Sequence, residues 1–124
     1  MMNEYGVLLC SHVDKIALGL TTLLKEVASD VSVTSAGGTE DGGIGSSFDK
    51  IQAAVEANKA DKVLAFYDMG SSKMNLEMVK ETSDKSIEMF DTAFIESAYT
   101  ATALLQAGVP IEEIRKQLAP LKIK

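Results

Sequence analysis

Four times along this chain a short apolar run gives way to residues spaced three and four apart, and that alternation limits the folds open to it. Gly6-Val-Leu-Leu-Cys10 is apolar without interruption, as expected for a strand covered on both faces. Val13, Ile16, Ala17, Leu20, Leu24, Val27 and Ala28 then mark one face of a helix. Val31–Ser35 alternates and reads as a second strand, nearer an edge. A second helix opens at Ser47-Phe48, with Ile51, Ala54 and Val55 inward and Ser46 or Ser47 as N-cap. Lys62–Tyr67 is a third strand, and a helix over 73–82 carries Leu76 and Val79 inward. Ser86–Phe90 reads as a fourth, less regular strand, followed by a helix over 93–106 that Gly108 stops. Pro110 precedes a last helix, Ile111–Leu118. Such a series specifies an α/β protein. The expected form is a single three-layer α/β/α domain over residues 1–124, with a mainly parallel four-stranded sheet in the order 2-1-3-4.

Sheets of this kind gather their ligands beyond the carboxyl ends of the strands, where the strand order reverses. Here that point lies between the first and third strands. His12, the only histidine, and Asp68 emerge there side by side, flanked by the glycine-rich stretch Ala36–Gly45. A neutral imidazole is a competent nucleophile near pH 7, and helix N-termini favour a phosphoryl group placed on it. The plainer reading of His12 is a helix cap or a loop hydrogen bond. Asp68 fits the role of accepting a proton from one ring nitrogen, which fixes the tautomer; it equally fits a turn before Met-Gly-Ser-Ser. Gly70, Ser71 and Ser72 offer backbone N–H groups and hydroxyls for phosphate oxygens, with Asn75 placed to buttress the loop. Gly38 and Thr39 offer the same from the second strand, although no Gly-Lys-Ser/Thr follows to make a P-loop. A merely mobile loop is the bland alternative there. The methionines at 69, 74, 78 and 89 read as core or interface filler.

Composition narrows the partners. Twelve basic against eighteen acidic residues leave a net charge of −6, which argues against nucleic acid or an anionic membrane as partner. Cys10 is the single cysteine, so no internal disulfide forms, and it reads as a small buried hydrophobe. No apolar run approaches the roughly 18 residues of a membrane span and no leader pattern opens the chain, so a cytoplasmic location is expected. With no second histidine and no cysteine cluster, no metal site is expected.

Three rival readings share this architecture. A receiver-like module phosphorylated on Asp68 needs an acidic pair after the first strand, where Cys10-Ser11 stands instead. A flavin module lacks its hydroxyl-rich phosphate loop at Ser11-His-Val-Asp14. A non-catalytic interaction module, with His12 purely structural, stays open at this level.

Taken in order, Ser11-His12, Gly37-Gly-Thr39, Gly45-Ser-Ser-Phe-Asp-Lys-Ile51 and Asp68-Met-Gly-Ser-Ser72 form a set more specific than any of its pieces. Phe94-Ile-Glu-Ser-Ala98 and Gly108-Val-Pro-Ile-Glu-Glu-Ile114 extend it along nearly the whole chain. The sequence resembles the phosphotransferase subunits of bacterial phosphoenolpyruvate-dependent dihydroxyacetone kinases, the DhaM family, relatives of the mannose-type IIA domains. The resemblance implies that His12 accepts a phosphoryl group from the carrier protein HPr and passes it to ADP on a nucleotide-binding kinase subunit. It implies a homodimer without a resident cofactor, Mg²⁺ arriving with ADP on the partner, and Asp68 and the Gly-Ser-Ser loop serving the histidine. A IIA component of a mannose-type sugar phosphotransferase system is the alternative within the same family. Val13 stands where a small hydroxyl residue is common, and Ser97 where glycine is usual.

Overall fold

In the computed structural model, which describes residues 4–124, the chain runs β1 (Tyr5–Ser11), α1 (Asp14–Val27), β2 (Val33–Gly37), α2 (Phe48–Ala57), β3 (Lys62–Tyr67) and α3 (Gly70–Thr82). It continues through β4 (Ser86–Phe90), α4 (Phe94–Gln106), α5 (Ile111–Leu118) and a 3₁₀ turn over Ala119–Leu121. Residues 1–3 of the expected 1–124 unit lie outside the described residues. All strands are parallel, in the order β2-β1-β3-β4. No helix among the described residues is long and apolar enough to cross a membrane.

Strand alternation divides the core. Val7 and Leu9 of β1, with Leu64 and Phe66 of β3, face Leu20 and Leu24 of α1, Ala98, Ala101 and Leu105 of α4, and Ile114 and Leu118 of α5. Leu8 and Cys10, with Val63, Ala65 and Tyr67, face Ile51 and Val55 of α2 and Leu76 and Val79 of α3. Both faces of the central strands are sealed, which is why β1 reads as an unbroken apolar run. Truncating a side chain such as Leu8, fully buried here, costs about 2–5 kcal/mol in cores of this kind. Cys10 is likewise fully buried, and burial pushes its thiol far above the ordinary range, so it packs as a neutral small hydrophobe.

Four expectations shift. β2 begins at Val33 rather than Val31, because the backbone of Ser32 serves as a junction: its carbonyl accepts from Val7 N–H at 2.9 Å and from Asn58 Nδ2 at 3.2 Å. The strand therefore extends through Gly37, opposite Ser11. A Cβ at Gly37 would lie 2.6 Å from Asp14 Cα, so only glycine lets the first turn of α1 sit so close. α3 starts at Gly70, three residues before the periodic pattern becomes visible. Met69, Met74 and Met78 are 55%, 67% and 49% exposed, which removes them from the core; Met89 alone of the four packs partly against it. Ile16 is also exposed, because one residue of helix rotates it about 100° from the buried direction of Ala17.

Candidate functional site

Parallel register builds the site. Cys10 of β1 pairs with Tyr67 of β3, so the residues that follow each strand leave the sheet together. Asp68 N–H donates to Cys10 O at 3.1 Å, adding one more rung before the chains part. Beyond it, His12 N–H donates back to Asp68 Oδ2 at 3.0 Å.

Four donors converge on the Asp68 carboxylate. Oδ2 takes the Ser11 hydroxyl at 2.7 Å as well as the His12 amide, and Oδ1 takes His12 Nδ1 and Met69 N–H, each at 2.8 Å. An ionised carboxylate only accepts, so the proton of the neutral ring resides on Nδ1 and Nε2 is unprotonated, keeping its lone pair. Nε2 faces the Ser71 hydroxyl, which donates to it, while Ser72 Oγ stands 3.2 Å from Nδ1. The imidazole and the carboxylate are 11% and 15% exposed, enclosed by polar groups rather than by the core. Burial pushes the Asp68 carboxyl up, but the bonds from His12, Ser11 and the His12 amide outweigh it and hold it below the usual carboxylate range.

Local structure explains the hydroxyls. α3 begins at Gly70 with Met69 as N-cap and no capping side chain, so Ser71 and Ser72 occupy its first turn and point back at the rim. The N–H groups of Gly70 and Ser71 have no acceptor within the helix. A Cβ at Gly70 would meet nothing within 4 Å, so that face is open for an approaching group. Gly70 adopts no positive φ here.

Gly38 and Thr39 flank the same rim without directing donors at the imidazole. Gly38 N–H donates to Ser11 O at 3.1 Å, Thr39 N–H to Gly43 O at 3.0 Å, and the Thr39 hydroxyl bonds Asp41. Their loop instead grips the histidine backbone, with Gly45 N–H donating to His12 O at 2.9 Å. Asn75, expected to buttress the Gly-Ser-Ser loop, instead reaches across to this one, its Nδ2 donating to Ser46 Oγ at 2.9 Å. Among the described residues no group of three His, Cys, Asp or Glu side chains is arranged to hold a metal.

Residues 6–115 match the model of the family described as the PTS system fructose IIA component. The chain is 48% identical over 120 residues to the phosphotransferase subunit DhaM of the PTS-dependent dihydroxyacetone kinase of Lactococcus lactis subsp. lactis (strain IL1403), covering 97% of this chain and 98% of the other. The chain belongs to the DhaM phosphotransferase subunits of the IIA family. A second such subunit, the phosphoryl donor DhaM of PEP-dependent dihydroxyacetone kinase 1 from Listeria innocua serovar 6a (strain ATCC BAA-680 / CLIP 11262), is 48% identical over the full length of both chains. A crystal structure of a protein of unknown function superposes with a TM-score of 0.84 at 22% identity, covering 98% of this chain and 97% of that one. A sigma-54 interaction domain protein from Enterococcus faecalis gives 0.70 at 17% identity, over 94% and 87%. At those identities the likeness is one of fold.

Two departures from the DhaM pattern are structurally mild. Val13 donates its N–H to Ser11 Oγ at 3.1 Å and its carbonyl accepts from Ile16 and Ala17, so hydroxyls reach this end of the site from Ser11, Ser71 and Ser72. Ser97 is fully buried at the start of α4, where it accepts from Thr92 Oγ1 at 2.7 Å and donates to Ala93 O. Ser11 is the site residue that residue-by-residue reasoning passed over. Its signal was its place, immediately before the histidine at the strand's end.

Proposed function

We propose that this chain is a phosphohistidine carrier: His12 accepts a phosphoryl group from HPr and delivers it to ADP on the nucleotide-binding subunit of a dihydroxyacetone kinase. What carries the reading is the His12 Nδ1–Asp68 bond of 2.8 Å, which leaves Nε2 unprotonated beside the start of α3. The full-length identity to two DhaM subunits supports the choice of pathway over a sugar-specific IIA role.

In the first transfer the nitrogen–phosphorus bond of the donor breaks as a bond from phosphorus to His12 Nε2 forms. The ring gains positive character, which the Asp68 carboxylate stabilises through Nδ1–H. Ser71 swings its hydroxyl from Nε2 onto a phosphoryl oxygen, and the N–H groups of Gly70 and Ser71 face the same oxygens. Ser72 supports them, while Gly38 and Thr39 shape the flank that holds the His12 carbonyl. The second transfer reverses these motions toward ADP, with Mg²⁺ accompanying the nucleotide on the partner. Because little covalent chemistry falls to the protein, its contribution is positioning and charge. The carrier works in the cytoplasm as a homodimer.

Incubation with phosphoenolpyruvate, enzyme I and HPr tests this. Acid-labile, alkali-stable label is expected on the native chain and none on a folded His12→Gln variant. Label that persists in that variant, or label released by hydroxylamine, would place the acceptor elsewhere.

A further inference from the structure

β4 stops at Phe90, opposite Phe66, so the carbonyls of Tyr67 and Asp68 extend past the last rung on that side. Both are met by one side chain from the far end of the sequence. Lys124 Nζ donates to Tyr67 O at 2.6 Å and to Asp68 O at 3.0 Å, and stands 4.5 Å from the centroid of the Tyr67 ring. The segment after α5 delivers it there by following the rim of β4. Ala93 N–H donates to Leu121 O at 2.9 Å, Thr92 and Lys122 form an antiparallel bridge, and the N–H groups of Ile123 and Lys124 both donate to Asp91 O.

We propose that Lys124 is a positioning residue for phosphoryl transfer at His12, clamping the corner where β3 becomes α3. The inference rests on the carrier reading above and adds a residue that touches neither imidazole nor phosphate. Asp68 is held on one side by its N–H bond to Cys10 O and on the other by Lys124, so its backbone is fixed at both ends. A carboxylate on such a backbone keeps its aim at Nδ1. The first N–H groups of α3, one and two residues from Met69, are fixed by the same clamp. The ammonium also brings positive charge toward Asp68 in a chain of net charge −6. Its charged surroundings are Asp68, Asp91 and Lys122, with Lys73 of α3 bridged to Asp91 at 3.1 Å and the Tyr67 hydroxyl bonded to Asp91.

Two variants separate the clamp from simple packing. Lys124→Met keeps the stem over Tyr67 and loses the donors; Lys124→Arg keeps donors for both carbonyls. With the full chain, HPr-dependent labelling of Lys124→Met is expected to be about tenfold slower at saturating donor, with half-saturation unchanged. Lys124→Arg should stay within about threefold of native, since its donors are retained. Imidazole ¹⁵N shifts should report a pure Nδ1–H tautomer in the native chain and in Lys124→Arg, and a mixture in Lys124→Met. A native rate and a native imidazole spectrum in Lys124→Met would overturn the clamp. Should the native chain take no label, the carrier reading fails on its own account, and the spectra still decide the clamp: an unchanged Lys124→Met spectrum overturns it.

Discussion

Replacing Asp68 by asparagine tests the geometry of the site through both stability and rate. The native carboxylate receives two donors on each oxygen, and two of the four are backbone N–H groups that cannot turn away: His12 on Oδ2 and Met69 on Oδ1. An amide has one accepting oxygen. With its NH₂ at the Oδ2 position it confronts the His12 N–H; flipped, it confronts the Met69 N–H and the ring Nδ1. In the first orientation the part-buried His12 N–H loses its acceptor, at a cost of about 1–3 kcal/mol; in the second the exposed Met69 N–H turns to water, and the cost falls on the bond to the ring Nδ1. For a chain of 124 residues that corresponds to a fall of about 4–12 °C in Tm. The flipped orientation also drives the proton from Nδ1 to Nε2, which removes the nucleophilic lone pair; the loss of a charge-assisted bond of about 1.5–3 kcal/mol shifts that balance by roughly ten- to a hundredfold. Labelling from phosphorylated HPr should slow by a comparable factor, read by rapid quench, with melting followed by circular dichroism. The sign with pH follows from the lowered carboxyl. Its folded-state value lies below the unfolded value of about 3.9, so the stabilisation is present above that value and fades as pH falls through the folded one. The stability gap between native and Asp68→Asn should therefore close on acidification below about pH 4. An Asp68→Asn variant with native melting and native labelling would refute the four-donor account.

Gly70→Ala should raise stability by about 0.4–1 kcal/mol, since the Cβ meets nothing and φ is not positive, yet slow labelling about threefold or more by crowding the open face. A stabilised variant labelled at the native rate would show that nothing approaches over that glycine. Gly6→Ala should lower the urea-unfolding free energy by about 2–4 kcal/mol, because its Cβ would lie 2.1 Å from Asn58 Oδ1. Asn58 is 2% exposed and ties Val7 O, Ser32 O and Thr34 Oγ1 to the N–H of Ala60. A loss below about 0.5 kcal/mol would mean that this bracket yields easily.

What could be read from sequence was whatever is written in local period. The strands Lys62–Tyr67 and Ser86–Phe90 and the helix Ile111–Leu118 match their expected bounds, and the strand order is the 2-1-3-4 expected of the alternating series. The N-cap also resolved as one of the two serines proposed, with Ser47 Oγ accepting from Lys50 N–H. Features set by distant contacts were illegible. The start of β2 depends on Asn58, twenty-six residues from Ser32, and the start of α3 is hidden because Gly-Ser-Ser carries no apolar signal. At the site, adjacency of His12 and Asp68 followed from topology. The direction of each amide did not: the Gly38 N–H turns to Ser11 O and the Thr39 N–H to Gly43 O of its own loop, not toward the imidazole. Lys124 lies 56 residues from the carbonyl of Asp68, and no spacing rule reaches that far.

A carboxylate offers about four lone pairs, and at Asp68 all four are taken. An acid so engaged beside the His12 ring has nothing left with which to polarise water. On the carrier reading proposed above, a site that could have been a phosphatase becomes a store, and the phosphoryl bond is expected to outlast the interval between one protein encounter and the next.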